Sequence, residues 1–509
     1  MQYKRLFTFF LLALLILFFV SPNSYTHDLY DQYDTAWFFT CGKAWMNGMI
    51  PYVDFSDSKG PLLWLIYGLG YLLSPCDYIG VFWLSVILYT GVFYYVYAIA
   101  NIFLKNNSKA FLTTIIMLLS FFCPWFHYEV RAEDWCQIFI IMTIYHCCRW
   151  FYLDEIDKEK ECYYACFSLG FCFAGTLLIK FSVAAMFGVP AFYMFFAIIK
   201  QRINVYISFI KFLSGFSILF LPFLIYMLSV GNFNAFLQEY FYNTMQTVQT
   251  TNTLGMYMHE LLKLTYDARF IVLFVLSCFG TYMTGRMIKN NRFFLLITFL
   301  GFYCVAIHHC FDNNPYYLCV CLIFPLFFVI PFIAKYEFPI NYRRFVFVVV
   351  FSVTVFVNAF SYGWLLSVWF FRDNGARMDY YNVAYIMSEV KYPKVVNYMA
   401  SEYGRGVPAG VLPGAKYWAY QVGATDEMKN NQEESIKEKI PDFVFVNECL
   451  PGVNERDSLV KSYGYLPIYK YKWLDINFTL YSKHHNLQMP PANFHVSNTD
   501  VLLKRNIFK

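Results

Sequence analysis

The stretch YDTAWFFTCGKAWMNGMIPYVDFSDSKGPLLW, running from Tyr33 to Trp64, holds Asp34, Asp54 and Asp57 with Lys43 and Lys59 among aromatic residues, and spaces Pro and Gly like turns. It is set in a chain of membrane-protein composition. Of 509 residues, 59% are hydrophobic and 14% charged, against about 25% charged in a soluble globular protein. Mean hydropathy is +0.42. Aromatic residues make up 22%. A net charge of +5 is small and dispersed, so it gives no case for a nucleic-acid partner.

Working outward, a membrane span needs roughly 20 apolar residues to cross about 30 Å of hydrocarbon. Eleven runs qualify as candidates, near 6–22, 79–104, 110–126, 135–153, 162–179, 181–199, 204–230, 268–288, 293–310, 316–334 and 345–371. The first follows Lys4 and Arg5 like a signal peptide. SPNSYTH is a poor small-residue cleavage site, so an uncleaved span is expected. PLLWLIYGLGYLLS (61–74) is short and interrupted by Gly, and reads as a helix lying at the interface.

Lys and Arg in the short loops orient such a chain. With the N-terminus in the cytoplasm, 15 of them fall inside (Lys4, Arg5, Lys105, Lys109, Arg149, Lys158, Lys160, Lys200, Arg202, Arg286, Lys289, Arg292, Lys335, Arg343, Arg344) and 6 outside (Lys43, Lys59, Arg131, Lys180, Lys263, Arg269). Counting 61–74 as a span would invert everything downstream and destroy that bias. The expected organisation is therefore an all-α polytopic membrane domain over 1–371, with a large first outer loop at 21–78. A small extracytoplasmic α/β domain follows over 372–509. In that tail PAGVLPG and PDFVFVNE read as short buried strands, and LPIYKY and FTLYSK alternate like strands. DYYNVAYIMSEVKYPKVVNYMASEYG reads as helical, broken or kinked at Pro393. The plasma (inner) membrane is the expected location.

Most of the 15 cysteines sit in apolar runs and read as small buried residues. No CxxC…CxxC set suggests zinc. Cys41, Cys76, Cys310 and Cys449 fall in expected outer segments, where a disulfide is open but unpaired by sequence alone.

On this topology the ionisable groups gather at one membrane face. The first loop carries Asp28, Asp31, Asp34, Asp54, Asp57 and Lys59. HYEVRAEDW carries His127, Glu129, Arg131, Glu133 and Asp134. A short link carries Lys180, and HHCFDNNPYY carries His308, His309 and Asp312. Charge at membrane depth is costly and marks function. A carboxylate there can deprotonate an acceptor hydroxyl or hold a divalent metal through oxygen. Lys, Arg or His can stabilise a phosphate leaving group, and a groove between helices can hold a lipid tail. Together these suit group transfer from a lipid phosphate to an acceptor outside the cytoplasm. No ATP is available there, so the donor is already activated and no nucleotide cofactor is expected. A polyprenyl-phosphate sugar meets the need. Transport or flipping of a lipid-linked sugar is the rival reading, as is a polysaccharide polymerase or ligase. A transporter would more often show internal repeats and broken helices at the midplane.

The same residues resemble the first-loop signature of the GT-C class of membrane glycosyltransferases, nearest the bacterial family of protein O-mannosyltransferases and lipid A aminoarabinose transferases. Asp34 precedes a Gly-x-x-Pro-Tyr turn, here Gly48, Pro51 and Tyr52. Lys59-Gly60-Pro61-Leu62 is similar to the family's Lys-Pro-Pro-Leu, Arg131-Ala132-Glu133-Asp134 to its second acidic motif, and LLIKFS around Lys180 to its Lys after the fifth span. HHCFDNNPYYLCVCLIFPLF is similar to its late His-Tyr…Pro segment. The resemblance implies inverting sugar transfer from a polyprenyl-phosphate donor to a lipid, glycan or protein acceptor. Asp34 would be the catalytic base or a metal-orienting carboxylate and Glu133 or Asp134 its partner, with Lys59, Arg131, Lys180, His308 and His309 on substrate. Asp34-Thr35 replaces the Asp-Glu pair of many members, which weighs against a metal role more than a base role.

Local readings compete at each position. Asp34 would also make a sound helix cap, as would Asp134. Asp57 with Lys59 also reads as a loop ion pair. Arg131 has Glu129 and Glu133 as local partners, and Lys180 reads equally as a snorkelling anchor. Adjacent histidines on a helix point about 100° apart, so His308 and His309 do not suit one metal.

Overall fold

Long apolar runs form helices because a helix satisfies every backbone polar group within the segment, which a bilayer demands. The computed structural model describes residues 2–25, 33–123, 125, 130–152, 157–245, 254–287, 291–308, 315–337, 339–361, 375–399, 404–419, 425–448, 452–473, 476–490, 500–501 and 504. Five helices are long and apolar enough to cross a membrane among the described residues. They are α1 (Gln2–Val20), α4 (Ile79–Leu104), the pair α9 (Phe181–Ala185) and α10 (Gly188–Lys200), α11 (Val205–Ser229) and α14 (Ala268–Arg286). Between them lie α2 (Tyr33–Met46), α3 (Pro61–Leu73), α5 (Asn107–Ile116), α6 (Leu118–Phe121), α7 (Ala132–Tyr152), α8 (Lys158–Leu177), α12 (Phe233–Phe236) and α13 (Leu254–Leu262). Further on come α15 (Phe294–His308), a 3₁₀ segment at Pro315–Cys321, α16 (Leu326–Lys335) and α17 (Ile340–Ser361).

The eleven expected runs are thus not eleven equal rods. The run near 110–126 is divided at Met117 into α5 and α6. The run near 316–334 divides into the 3₁₀ segment and α16, which has Pro331 inside it. Helix α3 has 13 residues, about 20 Å at 1.5 Å each, short of a bilayer core.

Contacts group the chain into two units. The first holds 1–21, 85–226 and 248–365. Small residues let its helices approach closely. A Cβ on Gly170 of α8 would overlap the carbonyl of Phe212 on α11, and one on Gly215 would overlap that of Phe167.

The second unit holds 22–84, 227–247 and 366–509. Its sheet has the order β2-β1-β3-β5-β4, from β1 (Lys394–Tyr398), β2 (Leu412–Pro413), β3 (Phe443–Asn447), β4 (Leu466–Trp473) and β5 (Ile476–Ser482). β1 pairs in parallel with β2 and β3, while β5 runs antiparallel to both β3 and β4. All five residues of β3 are buried, as its unbroken FVFVN run requires of a central strand. Helices α18 (Gly375–Met387), α19 (Asp426–Lys437) and α20 (Val453–Ser462) accompany the sheet. Val396, Val444, Val446, Ile436 and Val460 share its core.

One expectation is corrected here. The segment 379–404 is helical only to Met387, and KVVNY beyond Pro393 is strand β1. Tyr392 takes a left-handed backbone (φ 54°), Pro393 cannot continue a helix, and β-branched Val395 and Val396 gain more from burial between two strands. Cys41 and Cys76 are buried, while Cys310 and Cys449 lie outside the described residues.

The sheet carries a pH-sensitive anchor. Asp442, just before β3, accepts the backbone N–H of Lys394 at 2.8 Å and lies 3.1 Å from Lys483 Nζ and 3.0 Å from His484 Nε2. Burial pushes its carboxyl up, but the Lys394 amide, His484 and Lys483 outweigh this and hold it below its ordinary value. The folded state therefore favours the ionised form. That stabilisation is full above the unfolded Asp pKa, about 3.9, and is lost as pH falls through the lower folded value. Hydrogen-exchange protection across β1 and β3, taken relative to the intrinsic rate at each pH, is expected to fall below about pH 4 in the wild type. Asp442→Asn should exchange faster at neutral pH and show a flatter acid dependence. An identical acid profile in both proteins would remove Asp442 from this role.

Candidate functional site

In the first unit the chain brings four expected residues together at the start of α7. Arg131 is the residue before that helix, followed by Glu133 and Asp134 in its first turn. Both acids are buried, 2% and 3% exposed. Asp134 reaches back to the Arg131 backbone N–H at 3.0 Å, closing the helix start as an acid at the third helical position does. Its other oxygen accepts from Gln137 Nε2 at 3.2 Å and Tyr89 OH at 3.4 Å. Asp134 is thereby held as a cap, one of the two readings its position allowed.

Glu133 instead pairs with Lys180, whose Nζ donates to Glu133 Oε1. Lys180 stands in extended backbone between α8 and α9, where one apolar helix ends and the next begins. Two tyrosines of the 3₁₀ segment complete the cluster. Arg131 Cζ lies 3.7 Å from the Tyr316 ring centre, Tyr316 and Tyr317 are 4.2 Å apart, and Lys180 Nζ lies 4.3 Å from the Tyr317 ring centre. Two cations thus flank a pair of aromatic faces, an arrangement that orders cationic groups. One buried carboxylate neutralises one of them. A phosphate arriving here meets oriented positive charge with little reorganisation. Sequence reading counted Tyr316 and Tyr317 only within a longer motif. Their signal was the aromatic pair directly after Pro315, at the same expected face as Lys180.

His308 ends α15, with its ring edge-to-face on Tyr257 at 5.6 Å. His309, like His127, Glu129, Asp28, Asp31 and Asp312, lies outside the described residues.

The second unit holds Asp34, Asp57 and Lys59. Asp34 sits in the first turn of α2, where the helix dipole favours an acid. The turn after α2 is tightly built. Gly48 has φ +89° and Tyr52 φ +65°, the latter a strained conformation for a bulky residue. Packing holds it. The Tyr52 ring is fully buried, 4.7 Å from Trp64 and 5.4 Å from Phe236, and its hydroxyl donates to the Lys59 carbonyl at 2.9 Å. Asp54 is exposed and accepts from Ile50 N–H at 2.6 Å, as a turn former does. Asp57 is buried and lies 3.8 Å from Lys59 Nζ. Its Oδ2 has no hydrogen-bond partner among the described residues. Burial pushes the Asp57 carboxyl up and Asp34 adds to this, against the pull of Lys59 and Ser58.

A residue that sequence reading missed anchors this turn. Glu239, buried in a π-helical segment at Leu237–Asn243, accepts from Ser56 Oγ at 3.1 Å, Lys416 Nζ at 2.5 Å and Tyr417 OH at 2.8 Å. π-Helical turns are rare and gather at functional sites. The only sequence signal was a lone acid in an aromatic run. Among the described residues, no group of three or more His, Cys, Asp or Glu side chains is placed to hold a metal ion.

This fold, apolar helices followed by a small C-terminal sheet, is similar along nearly its whole length to that of solved ArnT structures. No protein-family model matches the chain, and no curated protein matches it. Among solved structures it is similar to ArnT, the lipid A aminoarabinose transferase, from Cupriavidus metallidurans. Against ArnT bound to undecaprenyl phosphate, identity is 11% and the TM-score 0.61, covering 95% of this chain and 99% of that one. The apo structure of ArnT gives 10% and 0.62 with the same coverage. An Archaeoglobus fulgidus oligosaccharyltransferase tethered with an acceptor peptide gives 11% and 0.40, covering 94% of this chain and 74% of that one.

Proposed function

We propose that this protein is a glycosyltransferase that moves a sugar from a polyprenyl-phosphate donor to an acceptor on the extracytoplasmic face of the inner membrane, with inversion at the anomeric carbon. The observation that carries this reading is the fold likeness along nearly the whole chain to ArnT, crystallised with undecaprenyl phosphate. The Arg131–Tyr316–Tyr317–Lys180 cluster supports it, because two oriented cations beside aromatic faces suit a lipid phosphate.

In this reading residues 1–371 form the membrane domain and 372–509 an outer domain. Arg131 and Lys180 hold the donor phosphate, and Glu133 fixes the Lys180 ammonium in place. Asp34 accepts the proton of the acceptor hydroxyl as its oxygen attacks C1 of the sugar. The bond between C1 and the phosphate oxygen breaks, and polyprenyl phosphate leaves with the electron pair.

The test is incubation of membranes containing the protein with labelled undecaprenyl-phosphate sugars and extracted envelope acceptors. The expected result is labelled acceptor together with free undecaprenyl phosphate, one for one, at inverted anomeric configuration. Donor consumed without glycosylated product, or donor merely moved between leaflets, would overturn the reading.

A further inference from the structure

Away from these residues, the first unit has a concave site where α1, α5 and α17 begin. The cavity has a volume of about 740 Å³, and its lining includes Arg5, Arg343 and Arg344 together with Phe9, Phe111 and Val348. Phe9 stacks on Phe111 at 6.0 Å and meets Tyr97 at 5.5 Å, so the wall is continuous aromatic surface. Arg5 lies over Tyr97 at 5.3 Å, and Tyr97 OH donates to Asn107 at 2.6 Å. No carboxylate lines the cavity among the described residues. Arg343 Nε is buried and has no hydrogen-bond partner among them. A buried guanidinium nitrogen without an acceptor is costly, which calls for an anion at that point.

The geometry points to a binding site for an anionic glycerophospholipid, its phosphate on Arg343 and Arg344 and its acyl chains along the Phe9–Phe111 wall. Charge and shape commit the site to an amphiphile. A free phosphate would leave the aromatic wall unused, and a zwitterionic lipid would bring its own cation to the arginines. Basic pockets between membrane helices bind anionic headgroups in this way. A volume of this size suits a headgroup with the upper part of its chains. This assignment stands apart from the transfer reaction and needs none of its residues.

The experiment is native mass spectrometry of the purified full-length chain in detergent, titrated with phosphatidylglycerol or phosphatidylcholine of matched chains. Phosphatidylglycerol should be retained and phosphatidylcholine lost. Arg343→Ala with Arg344→Ala should weaken phosphatidylglycerol retention about 25-fold, at about fivefold per arginine. Lys211→Ala, which removes a charge from exposed α11 outside the cavity, should leave it unchanged. Millimolar inorganic phosphate should not displace the lipid. The wild-type comparison of the two lipids decides the matter even where the double variant fails to fold. Equal retention of both lipids, full retention by the folded double variant, or displacement by inorganic phosphate would each overturn the assignment.

Discussion

Lys180→Ala is expected to cut transfer by about 10²–10³-fold in kcat, the cost of removing one preorganised electrostatic contact to the leaving group. Two effects combine in this variant. Loss of the ammonium removes charge stabilisation from the departing phosphate. It also strands Glu133 in a buried place, and breaking a buried pair costs roughly 3–5 kcal/mol of stability. The two are separable. Glu133→Gln keeps the side-chain shape and leaves Lys180 charged but no longer steered. It should lower activity less than Lys180→Ala does. The double variant Glu133→Gln/Lys180→Ala should be no worse in kcat than Lys180→Ala alone, because the carboxylate acts through the lysine. Size-exclusion elution and melting temperature, measured alongside kinetics, report folding. Wild-type kcat in a folded Lys180→Ala protein would end this assignment.

The second large effect is at Asp34. Asp34→Asn preserves shape and hydrogen-bonding size while removing the base, and transfer should fall by about 10²–10⁴-fold. The loss should lie in kcat with little change in donor KM, because Asp34 is assigned to the acceptor's proton and not to the phosphate. Expression and melting temperature should be near those of the wild type, since Asn keeps the size of Asp in the first turn of α2. Asp34→Glu should recover a measurable part of the rate. An Asp34→Asn variant with undiminished kcat would transfer the base role elsewhere. Asp57, buried beside Lys59, is the next carboxylate to replace.

Some of the molecule was plain in the sequence. The α4 boundaries at 79 and 104 follow directly from an uninterrupted apolar run. FTLYSK and LPIYKY form paired strands, as their alternation required. The turns that bear charge were also visible, because Arg131, Glu133 and Lys180 interrupt apolar stretches. KVVNY was misread because its first residues continue a helical pattern, and only pairing with β3 on one side and β2 on the other makes it a strand. Glu239 was missed because a single acid among Phe and Tyr has no period or motif to mark it.

By itself the sequence determined that this chain is apolar enough to enter a membrane, where its longest helices lie and which short turns bear charge. Those properties are local, and spacing along the chain expresses them. Only the tertiary structure decided that Glu133 belongs to Lys180, 47 residues away, while neighbouring Asp134 is spent on capping α7. It alone decided that Tyr316 and Tyr317 lie between Arg131 and Lys180, and that Glu239 holds the turn at Ser56. Such pairings depend on how separate helices pack against one another, and the apolar face of each helix admits many packings that only side-chain complementarity tells apart.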